Sequence, residues 1–145
     1  MKNLEKIIEE NELVQIKPEG YSMYPLMVPG RDQVVIKKAD PCKIRRGQVW
    51  LYRRGNGMLV LHRVWKVRSD GIYMVGDNQT ETEGPLPKEA FIGIVVSFIR
   101  NGKSFGAENI IYVILSRGWL LLRPFRKSIK KPFAALKREL KKKPM

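Results

Sequence analysis

Ser22 lies in the stretch EGYSMYPLMVPGRDQVVI, residues 19 to 36, between glycine and proline punctuation. A serine that attacks a carbonyl carbon needs an exposed, rigid perch. Gly20 lets the chain bend before it, and Pro25 and Pro29 fix backbone torsions after it. Such a loop holds a hydroxyl ready for reaction, although a plain connector with a turn-capping serine has the same composition. Two further groups able to hold or move a proton stand downstream. His62, the only histidine, sits in an alternating apolar run that leaves it partly desolvated, and Asp77 lies in the tripeptide Gly76-Asp77-Asn78. A histidine on an apolar face also serves as a structural residue, and Gly-Asp-Asn also makes an ordinary turn. Spacing alone does not bring the three together.

The elements that must position them read mainly as strands. Residues 3 to 12 place Leu4, Ile7 and Ile8 at helical spacing, which predicts a short amphipathic helix on the domain edge. Val14 to Lys17 is a short strand leading into the serine loop, and Val34 to Ile36 is a brief apolar strand after it. Gln48 to Arg53 alternates Val49 and Leu51 with Trp50 and Tyr52. Gly55-Asn56-Gly57 then signals a hairpin whose returning strand, Met58 to Val67, carries His62. Ile72 to Val75 is a strand ending at Gly76-Asp77-Asn78, residues with Glu81 and Glu83 form a polar loop, and Phe91 to Ile99 closes the domain as a strand. With hairpins dominant and helical periodicity confined to the ends, the expected architecture is mainly β, a coiled antiparallel sheet with barrel-like character.

The bulk numbers narrow the chemistry. A chain of 145 residues makes one domain with an appendage. One cysteine, Cys42, and one histidine leave no disulfide framework and no soft-ligand spacing for zinc, so no cofactor and no metal are expected. The net charge of +14 is concentrated at one end: residues 103 to 145 hold 12 Lys/Arg against 2 Glu, the rest of the chain 16 against 12. The domain is thus read as residues 1 to 102 and the basic, partly apolar tail as 103 to 145. The tail implies an anionic partner, either a phospholipid surface or, less favoured, nucleic acid. Within it, Phe133, Leu136 and Leu140 fall on one helical face among lysines, the pattern of an interfacial helix. The first thirteen residues mix charge with isolated aliphatics and carry no signal-peptide pattern. The longest apolar run, residues 110 to 122, contains Arg117 and is shorter than the roughly 20 residues that cross a bilayer. These features predict a cytoplasmic protein, peripheral at the membrane at most.

Three motifs in order, Ser22-Met23-Tyr24-Pro25, His62-Arg63-Val64 and Gly76-Asp77-Asn78, resemble the signature of the signal-peptidase and SOS-repressor superfamily of serine peptidases. The resemblance covers about residues 13 to 100. It implies a β-rich peptidase core, in agreement with the strand reading. Bacterial signal peptidases have a lysine base in a Lys-Arg-Val context; here the position is His62, as in the histidine branch. The resemblance makes Ser22 the nucleophile and His62 the general base that takes its proton and returns it to the leaving amine. The acid that orients the imidazole is Asp77 by the Gly-Asp-Asn match or Glu83 by the later acidic position of the histidine branch, and the sequence does not choose. Lys66, four residues along the strand from His62 and on its face, is the alternative base. Gly20-Tyr21 stands where signal peptidases commonly have Ser-Gly, so the oxyanion donor expected is the backbone N–H of Ser22. The implied function is a serine endopeptidase acting on a leader- or signal-type peptide. The competing reading is a non-enzymatic basic module that binds membrane or nucleic acid through residues 103 to 145.

Overall fold

The computed structural model describes residues 4–24 and 26–122. Eight antiparallel strands and two helices follow the order α1 (Leu4–Glu10), β1 (Val14–Ile16), β2 (Asp32–Lys38), β3 (Val49–Arg53), β4 (Leu59–Arg68), β5 (Gly71–Val75), β6 (Glu83–Leu86), β7 (Phe91–Arg100), β8 (Lys103–Gly106) and α2 (Ile110–Leu121). The sheet runs β1-β2-β7-β3-β4-β5-β6 and stays open, with β1 and β6 at its ends. β7 organises it. One edge of β7 pairs with β2, while the other pairs first with β3 through Phe91–Ile94 and then with β8 through Ser97–Arg100.

The alternation in β3 explains why both faces are covered. Val49 and Leu51 pack with Ile8, Met23, Met27 and Phe98 on one side. Trp50 and Tyr52 pack with Val64, Met74 and Phe91 on the other. A strand with two apolar faces belongs in the middle of a sheet, and all four of these β3 residues are buried.

Three features differ from the sequence reading. β6 was expected as polar loop because Glu-Gly-Pro-Leu lacks strand character; it forms at the sheet edge, where Pro85 has no ladder bond to supply. The tail is not separate at residue 102. β8 extends the sheet, and α2 sends Tyr112 against Phe98 and Phe105, with ring centroids 4.6 and 6.0 Å away. The third concerns Lys66. A bulge after Val64 pairs Lys66 with Tyr73 while Val64 pairs with Met74. Tyr73 and Met74 are adjacent and point to opposite faces, so Lys66 is turned away from the face of Val64 and His62. The interfacial helix expected over Pro132 to Lys143 lies outside the described residues. Among the described residues no helix is long and apolar enough to cross a membrane.

Candidate active site

Strand register decides which polar groups meet. Trp50 pairs with His62, Val64 with Met74 and Met74 with Glu83, so Tyr52, His62 and Glu83 share one face across β3, β4 and β6. Arg63 pairs with Val75 and occupies the opposite face, where the chain leaving β5 carries Asp77. The side chains follow this division. His62 is buried and its Nδ1 lies 3.0 Å from the Tyr52 hydroxyl, which in turn lies 3.1 Å from Glu83 Oε2. Arg63 Nε and Nη2 donate to the two Asp77 oxygens at 2.7 Å each.

The Asp77 carboxylate is therefore held by Arg63 and is not the group hydrogen-bonded into the His62 chain. Of the two acids left open by the sequence, Glu83 reaches His62, through Tyr52. The Tyr52–Glu83 relay and its companion Arg54 have no counterpart in the motif reading. Alternation puts Tyr52 on the face opposite Val49 and Leu51, but only the cross-strand register places its hydroxyl beside His62.

Proton positions follow from the partners. Burial first, and the Glu83 charge second, push the Tyr52 phenol above its ordinary range, so it keeps its proton. A phenol has one proton to give, and the carboxylate is acceptor only, so Tyr52 donates to Glu83. Its oxygen then accepts from His62 Nδ1–H, which leaves the Nε2 lone pair as the basic position. Burial first, and the Arg54 charge second, push the imidazole down from 6.5 to about 4, against the opposing pull of Glu83 and Asp77. Arg54 is itself held by Glu83, with Nε 3.1 and 3.0 Å from the two oxygens and Nη2 2.9 Å from Oε2.

Ser22 and His62 line one cleft of about 410 Å³, together with Gln79, Arg54 and the apolar side chains of Met23, Met27, Leu51 and Leu59. No direct hydrogen bond joins the Ser22 hydroxyl to His62 in this state. Met23 and Met27 serve as both core and cleft wall: nearly fully buried, they also border the cleft.

The serine loop is pinned at both ends. Gly20 takes a φ of +76°, the left-handed turn for which glycine carries no Cβ penalty. After the serine, buried Asp32 accepts from Val28 N–H at 2.8 Å, from Arg31 Nη2 at 2.8 Å and from Arg100 Nε at 2.7 Å, and Arg100 reaches Leu26 O at 3.1 Å. Burial alone would push the Asp32 carboxyl up, but these bonds from Arg31, Arg100 and Val28 outweigh it and hold the group below its ordinary value.

Gly76-Asp77-Asn78 then clamps the serine itself. Asn78 N–H donates to Ser22 O at 2.8 Å. A Cβ on Gly76 would stand 2.6 Å from that same oxygen and 2.7 Å from Gln79 Oε1. Asp77 anchors the tripeptide from below through Arg63, whose guanidinium also donates to Gly47 O and Tyr112 Oη at 2.8 Å each. Trp119 of α2 donates its indole N–H to Asp77 O. The motif thus acts on the serine by placing its backbone. Gly76→Ala is expected to displace the loop, lowering the unfolding free energy by about 1–3 kcal/mol. Denaturant titration checks this; an unchanged unfolding midpoint would show that the tight approach of Gly76 to Ser22 is dispensable.

Among the described residues no group of three or more His, Cys, Asp or Glu side chains gathers as metal ligands. Comparison with protein-family models and with curated proteins finds no match for this chain, so the serine, the histidine relay and the clamp under them define the candidate site by geometry alone.

Proposed function

We propose that the chain is a serine endopeptidase with a signal-peptidase-like core, in which Ser22 is the nucleophile and His62 the general base, acting on a leader- or signal-type peptide. The observation that carries this reading is the buried His62–Tyr52–Glu83 chain opening onto the cleft that Ser22 lines. Ser22 Oγ attacks the scissile carbonyl carbon as its proton passes to His62 Nε2. The resulting imidazolium is stabilised by Tyr52 and, through it, by the Glu83 carboxylate. Collapse of the tetrahedral species breaks the C–N bond, with the proton going from His62 to the leaving amine and the acyl group remaining on Ser22. Water, deprotonated by His62, then attacks the ester and frees the second product. The Ser22 backbone N–H is the proposed oxyanion donor. The apolar cleft wall favours substrates with small aliphatic side chains near the bond cut, and the chain is read as acting in the cytoplasm.

The direct test is incubation of the purified chain with a complex peptide mixture, followed by mass-spectrometric reading of new termini. Cleavage at a recurring sequence, absent with Ser22→Ala, is the expected result; a set of products identical in the two samples would contradict the proposal.

The depressed imidazole also fixes a pH profile. Only neutral His62 acts as a base, so kcat/KM is expected to rise through pH about 4 and to be level by neutrality. Arg54→Gln removes the second cause of the depression and frees Glu83 to favour the imidazolium, so the acid limb moves up toward 6.5 while burial keeps it below that value. The same displacement acts on folding: between pH 6.5 and about 4 the unfolded imidazole takes up a proton that the folded one does not, so stability falls as pH drops through that window. A pH–rate profile whose limb is the same in the two proteins would remove Arg54 from the account.

A further inference from the structure

The α2 helix buries one side and leaves the other bare. Ser116 and Leu120 are buried, and Tyr112 packs against Phe98 with ring centroids 4.6 Å apart. Outward, Ile110, Ile111, Ile114, Leu115 and Leu121 are 74, 70, 65, 58 and 65% exposed. Aliphatics in such density on a helix are buried in globular proteins, and a contiguous exposed patch marks a surface made to be covered.

The charges around the patch indicate what covers it. Arg117 is exposed on α2 and, with exposed Arg45 and Arg46, lines a cavity of about 500 Å³ between the helix and the sheet. Neither Arg45 nor Arg117 has a carboxylate partner among the described residues. In the sequence that follows Leu122, residues 123 to 145 hold 10 Lys/Arg against 1 Glu. Exposed aliphatic side chains on a helix that also carries Arg117, followed in sequence by a strongly basic stretch, match the boundary of an anionic bilayer, which offers acyl chains and phosphates at one level. A second copy fits less well, since face-to-face α2 helices would oppose like charges. Single-stranded nucleic acid fits less well too, because bases stack on aromatic rings and this face presents isoleucine and leucine. The helix, of 12 residues, is about 18 Å long and so lies in the interface without crossing it.

We propose that the outer face of α2 docks on an anionic lipid bilayer, with Ile111, Ile114 and Leu115 entering the headgroup–acyl boundary and Arg117 meeting phosphates. The inference is independent of the catalytic reading. It is tested by sedimenting the full chain with vesicles of phosphatidylcholine alone or mixed with phosphatidylglycerol. Wild type is expected to partition onto the mixed vesicles and much less onto phosphatidylcholine. Ile111→Asp/Leu115→Asp should lower that partition at least about tenfold, with Ile111→Ser/Leu115→Ser as a milder pair and circular dichroism as the control for folding. Arg117→Gln should weaken it and reduce its salt dependence. The proposal is overturned by no vesicle binding by wild type, by equal binding by the folded α2 variants, or by a wild-type dimer that those variants turn into monomer without vesicle binding. Salt-sensitive RNA retention without vesicle binding does the same.

Discussion

Ser22→Ala is expected to lower kcat/KM for peptide cleavage by at least about 10⁴-fold, because removal of the proposed nucleophile of a cooperating set leaves only binding and oxyanion stabilisation. The unfolding midpoint should barely move: the contact that fixes this residue to Gly76-Asp77-Asn78 is made by its carbonyl, which alanine keeps. His62→Ala should cost about 10³–10⁴-fold in the same assay. It also opens a cavity beside Trp50 and Tyr52 and removes the hydrogen-bond partner of the Tyr52 hydroxyl, so this variant should be less stable. Because the proposed mechanism uses the two side chains in one step, Ser22→Ala/His62→Ala should be no slower than Ser22→Ala. Steady-state kinetics on a peptide cleaved by wild type measures all three. More than a tenth of wild-type activity in Ser22→Ala would mean that another group attacks the carbonyl.

Asp77→Ala is expected to lower the unfolding free energy by about 3–5 kcal/mol, since it strands a buried guanidinium without its counter-charge. Arg63 and Asp77 are 1% and 0% exposed, and two hydrogen bonds of 2.7 Å join them. Burial alone would push the Arg63 guanidinium down, but the Asp77 charge and the Tyr112 hydroxyl hold it protonated and above its ordinary range. Arg63→Ala should cost a similar amount, and the Arg63→Ala/Asp77→Ala combination much less than the sum, which a double-mutant cycle by denaturant unfolding would read directly. The cycle also separates two roles for Asp77. A clamp residue moves stability first and activity through it; an acid that orients His62 would lower kcat in Asp77→Asn while stability stayed near wild type.

The strands around the site were legible because their signals are local. Gly55-Asn56-Gly57 marks a hairpin wherever it occurs, and the alternation in Val49 to Tyr52 needs no partner to be read. Register is not local. Whether Asp77 or Glu83 falls on the face of His62 depends on Arg63 pairing with Val75 and Met74 with Glu83, relations between segments that a single chain of letters does not state. The bulge that turns Lys66 away is invisible for the same reason, because Trp65 and Lys66 continue the strand composition without interruption. β6 escaped for a different one: its Gly and Pro are poor strand formers, and the open edge of β5 supplies what propensity does not. In α2 the apolar run was plain, but its division into a packed side and a bare side needed the sheet beneath it.

The most direct measurement is covalent labelling of the chain by a fluorophosphonate near pH 8, with intact-mass detection and peptide mapping of the modified residue. One adduct per chain on Ser22, lost in Ser22→Ala and at least about 10²-fold slower in His62→Ala, is what an activated serine served by the His62–Tyr52–Glu83 relay predicts. Labelling of Ser22 at equal rates with and without the His62 ring, or an adduct on another residue that survives Ser22→Ala, would contradict it.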